Sequence, residues 1–270
     1  MRINTNLNAM IATNQMSKNT ALAGSSMEKL STGLRITKAG DDAAGLAVSE
    51  KMRAQIRGME QAERNVQDGI SMVQTAEGAL EEAGNIAQRM RELGVQAGND
   101  TLSAEDRTKV KEELKQLQDE MTKIADETKF NGKQLLNAAG TFTIQAGANS
   151  ETRKVETADL SSIAKNLSLT STNISSSTEA QSFVTKVDKA LSSINDARSA
   201  LGAMQNRLEY TANNLTTSTE NLTAAESRIR DVDVAKEMVT LSKLNILNQA
   251  SQAMVSQAKQ QPESVSQLLR

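Results

Sequence analysis

Two adjacent carboxylates, Asp41-Asp42, are the residues whose spacing could support metal binding or proton transfer. Such chemistry needs a further ligand or a base, and none accompanies the pair. The chain has no His and no Cys, which removes the commonest zinc ligands and the commonest general base. The flanking Gly40, Ala43, Ala44 and Gly45 instead suit a tight bend. No catalytic, metal or cofactor-binding residue is therefore assigned, and no enzyme activity is expected. Asn166-Leu167-Ser168 and Asn173-Ile174-Ser175 form sequons in an expected exposed loop, where Ser171, Thr172 and Ser175 to Ser177 are candidate O-glycan carriers.

Composition narrows the class further. The 270 residues include three Phe, one Tyr and no Trp, so the core must be thin and built from aliphatic side chains and 12 Met. A net charge of −2, from 31 basic and 33 acidic residues, argues against nucleic acid or an anionic membrane as a partner recognised by bulk charge. No run approaches the roughly 18 apolar residues of a membrane span. The start lacks the apolar segment of a signal peptide, so secretion would require another export route.

The strongest pattern is a heptad. From Val187, large apolar residues recur at every seventh position: Ile194, Leu201, Leu208, Leu215, Leu222 and Ile229. Companions three residues on run from Ala190 and Ala197 through Met204, Thr211, Ser218 and Ala225 to Val232, Val239 and Ile246. Sixty such residues make a helix of about 90 Å, which must pack lengthwise against others. Thr211 and Ser218 mark where the seam should be least buried. A capping box at Thr178 and Gln181 is expected to start this helix, a hesitation is expected at Asp231-Val232-Asp233, and Pro262, the single proline, should mark its end.

Other segments follow the same grammar. Residues 4 to 33 read as a weak, conditional helix ending at Gly33. Ile56, Met59, Val66, Ile70, Val73 and Leu80 form a second long stripe, which slips to Ile86, Met90, Leu93 and Ala97. Its glycines, Gly58, Gly69, Gly78, Gly84 and Gly94, each cost about 1 kcal/mol relative to Ala in a helix, and close backbone contact is the expected return. Ser103 and Asp106 form a capping box before the stripe Val110, Leu114, Leu117, Met121 and Ile124. Asn131-Gly132 stops that helix, and residues 141 to 157 read as a β-hairpin. Long rods joined by a compact middle pack as an antiparallel hairpin with the Val110 helix as third member, bringing both chain ends together. The fold class is mainly α: an elongated antiparallel helical bundle or coiled coil with a small β-hairpin.

Several motifs together resemble bacterial flagellins. Met1-Arg2-Ile3-Asn4-Thr5-Asn6, Leu30-Ser31-Thr32-Gly33-Leu34-Arg35-Ile36 and Asp41-Asp42-Ala43-Ala44-Gly45-Leu46-Ala47 are similar to the N-terminal signatures of that family. Gln88-Arg89-Met90-Arg91-Glu92-Leu93 and Phe130-Asn131-Gly132-Lys133-Gln134-Leu135-Leu136 resemble its middle ones. Leu201-Gly202-Ala203-Met204-Gln205-Asn206-Arg207-Leu208, Ala225-Glu226-Ser227-Arg228-Ile229-Arg230-Asp231 and the closing Gln267-Leu268-Leu269-Arg270 match its C-terminal half.

The resemblance implies a short flagellin without large outer domains, with an inner domain at about 1 to 44 plus 233 to 270 and a rod domain at 45 to 232. The rod's helices are expected at about 45 to 99, 104 to 129 and 179 to 230. It also implies a subunit of the extracellular flagellar filament, exported unfolded by a type III apparatus, with terminal helices that fold on assembly. Its partners would be other copies, an export chaperone, a cap protein and Toll-like receptor 5. Implied receptor contacts are Arg89, Leu93 and Glu113, although Met90 and Gly94 depart from the larger or β-branched residues expected there. Implied subunit contacts are Leu7, Met10, Ile11, Leu22, Met90, Leu241, Leu244, Leu247, Met254, Leu268 and Leu269. A hook-filament junction protein and a signalling coiled coil are the alternatives.

Overall fold

A computed structural model describes residues 6 to 167, 174 and 176 to 268, with side chains described up to residue 260. Helices α1 (Leu7–Thr32), α2 (Ala43–Ala97) and α3 (Ala104–Glu127) precede the strands β1 (Lys129–Phe130), β2 (Lys133–Gln134), β3 (Gly140–Gln145) and β4 (Thr152–Thr157). Helices α4 (Leu160–Asn166), α5 (Ser177–Arg230) and α6 (Val234–Leu268) follow. The chain divides into two compact units, one of residues up to Ala54 with those from Asn221 onward, the other Gln55–Glu220. Both long helices, α2 and α5, contribute to each.

In the second unit the heptad side chains are the core. Val187, Ile194, Leu208 and Leu215 are buried together with Phe183 and Leu201, and on α2 Leu80, Ala83, Ala87 and Met90 are buried as well. Polar pairs set an antiparallel register. Thr216 donates to Glu63 at 3.3 Å, Arg198 approaches Glu81 at 3.9 Å, Arg91 donates to Asp188 at 2.6 Å, and Ser177 donates to the Gly98 carbonyl at 2.8 Å. Each advance along α2 is matched by a retreat along α5. Of the five α2 glycines singled out by the sequence, three make close contacts. A Cβ on Gly58 would lie 2.8 Å from that of Ala148, one on Gly69 would collide with Ile144, and one on Gly94 would lie 2.9 Å from Val184. Gly84 has only ordinary contact with Ile194 and Gly78 faces open space.

Helix α3 begins with the expected box: the Ser103 hydroxyl accepts from the Asp106 amide, and the Asp106 carboxylate accepts from the Ser103 amide. Val110, Leu114 and Met121 are buried, while Leu117 and Ile124 are half-buried at the edge of the stripe. The expected hairpin is present as β3 paired antiparallel with β4, with Ile144 and Val155 buried.

Several expectations are corrected. Asn131-Gly132 ends α3 by building a second hairpin, β1 with β2, in which both residues take positive φ, 49° and 76°. Asn-Gly supplies that two-residue turn at little steric cost. Residues 160 to 166 are not an open loop: Asp159 caps α4 through the Ser162 amide, and α4 lies against α3 with Leu160, Ala164, Leu167 and Ile174 buried. The capping box of α5 falls two residues earlier than expected, where Ser176 and Glu179 exchange bonds at 3.3 and 3.2 Å. Asn173, Ser171, Thr172 and Ser175 lie outside the described residues.

In the first unit the seam loosens, with Leu222 and Ile229 only half-buried. Arg230 closes α5 by donating to Glu50 at 2.6 Å. The hesitation at 231 to 233 is a full break, because Leu34 and Asp231 form an antiparallel bridge. The Arg35 amide donates to the Arg230 carbonyl at 2.6 Å, and the Val232 amide to the Gly33 carbonyl at 3.0 Å. Pro262 does not end α6, which runs on to Leu268. A proline removes one backbone donor, a loss that the helix absorbs here without stopping.

Candidate assembly surface

The acidic pair proves structural. Asp41 accepts from the Thr37 and Lys38 amides and the Thr37 hydroxyl, each at 3.1 Å. The bonds from the Lys38 and then the Thr37 backbone hold its carboxyl below the usual range, because they favour the charged form. Asp42 accepts from the Gly45 amide at 2.9 Å as α2 begins. Among the described residues no group of three or more His, Cys, Asp or Glu could hold a metal ion.

The surface with unspent potential lies on α1 and α6, which pack against each other. Asn6 caps α1 and donates from its amide to the Ala258 carbonyl at 2.5 Å, and Thr20 donates to Asn248 at 3.4 Å. What α1 buries is unusual. Its buried residues are Asn19 and Ser26, with Gln15 donating to Asn19 at 3.3 Å. Its large apolar residues point elsewhere: Leu7, Met10, Ile11, Leu22 and Met27 are between 50 and 59% exposed. On α6, Leu244 and Ala258 are buried, whereas Val234, Met238, Val239, Ile246 and Met254 are between 54 and 71% exposed. Fully burying such a side chain contributes about 1.5–3 kcal/mol, and half or more of each surface here remains in water.

The residues singled out by resemblance thus separate. Leu7, Met10, Ile11, Leu22, Leu247 and Met254 are exposed, and Leu241 is half-buried. Leu268 belongs to the backbone of α6 with its side chain outside the described residues, as is all of Leu269. Met90 and Leu93 are corrected: at 0 and 2% exposure they pack inside the second unit and present no surface to a partner. Leu244, 8% exposed, is likewise occupied within the first unit. Arg89 and Glu113 do meet, joined at 2.9 Å across α2 and α3, with Arg89 also 3.1 Å from Glu92.

Sequence reasoning passed over Met27, Val234 and Met238, and placed Val239 and Ile246 in the seam. A signal was available. Continued beyond Ile229, the heptad's leading position falls on Lys236 and Lys243, so the paired seam ends there and its companions are released.

Two family descriptions divide this architecture between them. The Bacterial flagellin N-terminal helical region matches residues 3–141, and the Bacterial flagellin C-terminal helical region matches residues 184–269. The chain belongs to the bacterial flagellin family. A flagellin from Halalkalibacterium halodurans is 53% identical over 272 aligned residues, covering the whole of both chains. One from Bacillus subtilis strain 168 is 47% identical over 311 aligned residues, again covering both completely. The crystal structure of Bacillus cereus flagellin superposes with a TM-score of 0.52 at 35% identity, covering 60% of this chain and 94% of that one. This flagellin is of the short form and is a structural protein rather than an enzyme.

Proposed function

We propose that this chain polymerises into the extracellular bacterial flagellar filament, with α1 and α6 supplying the contacts between copies. The observation that carries this reading is the reversed burial of α1, whose inner face holds Asn19 and Ser26 while Leu7, Ile11 and Leu22 face solvent. A helix arranged this way gains most of its apolar burial from neighbouring molecules. Assembly then supplies what the monomer lacks. The inner domain is assigned to about residues 1 to 44 with 233 to 270, and the rod to 45 to 232. Export in an unfolded state suits a chain with no cysteine among its residues, and folding of the ends on assembly suits helices with little internal core. An export chaperone and a cap protein would then shield and position these ends.

The test is a triple substitution, Leu7→Ser, Ile11→Ser and Leu22→Ser, compared with the parent by sedimentation and electron microscopy. The variant should keep its helical circular dichroism and form no filaments. Filaments of normal length from it would overturn the assignment.

A receptor role has its own support in the exposed Arg89–Glu113 pair, which fixes a guanidinium on the surface of α2. Toll-like receptor 5 is the proposed partner. Arg89→Ala should sharply reduce activation of receptor-bearing reporter cells without altering filament yield, and undiminished activation would remove this role.

A further inference from the structure

The methionines divide by unit. Met10, Met27, Met238 and Met254, on α1 and α6, are 50, 57, 54 and 64% exposed. Met59, Met72, Met90 and Met121, in the second unit, are 9, 8, 0 and 0% exposed. Met16, Met52 and Met204 are half-buried, and Met1 lies outside the described residues. The chain has no Cys, Trp or His, so thioether sulfur is its principal soft, oxidisable group. Oxidant reactivity is thereby concentrated on the two helices assigned to assembly.

We propose that Met10, Met27, Met238 and Met254 are reversible oxidation sites at which hydrogen peroxide blocks polymerisation. This inference rests on the filament reading above. A sulfur lone pair attacks one peroxide oxygen, the O–O bond breaks, a sulfur–oxygen bond forms, and the second oxygen leaves as water after proton transfer. Sulfur loses two electrons and the peroxide gains them. The product replaces a flexible apolar group with a polar, chiral one. Met254 shows the consequence most directly, since it lines a groove of about 430 Å³ with Ile11, Ala12 and Ala258, the amides of Asn8, Gln15 and Gln257 completing the lining. A sulfoxide oxygen there would turn toward those amides or water and withdraw Met254 from apolar contact with a neighbouring copy. The buried methionines are shielded by their own core, so the second unit keeps its fold.

Purified monomer treated with dilute hydrogen peroxide tests this, read by peptide mass mapping and by sedimentation of polymer. Sulfoxide should appear at the four exposed methionines before the four buried ones, sedimentable polymer should be lost, and methionine sulfoxide reductases A and B together should restore it. A variant with Met10→Leu, Met27→Leu, Met238→Leu and Met254→Leu should lose no assembly on peroxide treatment relative to its own untreated level. The proposal fails if oxidised protein polymerises like untreated protein, if buried and exposed sites react together, or if the leucine variant is equally inhibited. Should that variant not assemble even untreated, reductase rescue of the parent chain decides. Failure of untreated parent protein to polymerise would instead reject the filament reading.

Discussion

Gly58 and Ala148 approach so closely that a Cβ on the glycine would stand 2.8 Å from the alanine Cβ and 3.1 Å from its Cα. The turn between β3 and β4 therefore rests on the backbone of α2. Asn65 adds a side-chain bond to the Gln145 carbonyl at 3.3 Å, so helix and hairpin share a fitted contact.

Substitutions at two glycines of one helix should consequently differ in sign. Gly58→Ala must displace backbone and should destabilise by about 1–3 kcal/mol, the usual range for overpacking. Gly78→Ala meets nothing and should stabilise by roughly 0.5–1 kcal/mol through helix propensity. Thermal unfolding of the two variants, followed by circular dichroism, measures the contrast.

The heptad core offers a second contrast within three residues. Leu208 is 0% exposed and Tyr210 is 75% exposed. Leu208→Ala should cost about 2–5 kcal/mol, while Tyr210→Ala should stay within about 0.5 kcal/mol. Urea unfolding midpoints at constant slope would show it, and equal losses would contradict the assigned faces.

The start of α5 can be tested by its cap. Ser176→Ala removes the hydroxyl that accepts from the Glu179 amide and should cost about 1 kcal/mol. Thr178→Ala should be nearly neutral. Amide hydrogen exchange in the first turn of α5 should rise in the former alone.

Acid should act on the turn at Asp41. Its carboxyl is held low in the folded state, so it stabilises fully above the ordinary carboxylate range, and that contribution disappears as the pH falls through the lower folded value. The amide resonances of Thr37 and Lys38 should remain unchanged from neutral pH down to the ordinary range and shift only below it. In Asp41→Asn that acid-dependent shift should vanish.

Periodicity made the rods legible because helical burial repeats in sequence. Val187 to Leu215 could be assigned to one face without any knowledge of what covered it. Local chemistry was legible where side chain and backbone are adjacent, as at Ser103 and Asp106. The displaced cap at Ser176 shows the limit: several Ser and Thr residues precede α5, and tertiary packing around buried Phe183 and Ala180 selects among them. Burial of Met90 and Leu93 was hidden for a different reason. A motif identifies positions, whereas exposure depends on the neighbouring helices. The assembly surface was half legible, since exposed Leu7 and Ile11 stand out in a polar segment, but the fully released face of α6 required knowing where the α5 seam stops.

The bridge between Leu34 and Asp231 closes a ring of chain spanning residues 34 to 231. Ring closure becomes only slightly more costly as a ring lengthens, by about 0.6 kcal/mol per doubling. The intervening sequence can therefore grow at its surface turns while the two strands of the bridge keep their alignment. In that sense Gly33 to Arg35 and Arg230 to Val232 work as a clasp that is indifferent to the length of what it encloses.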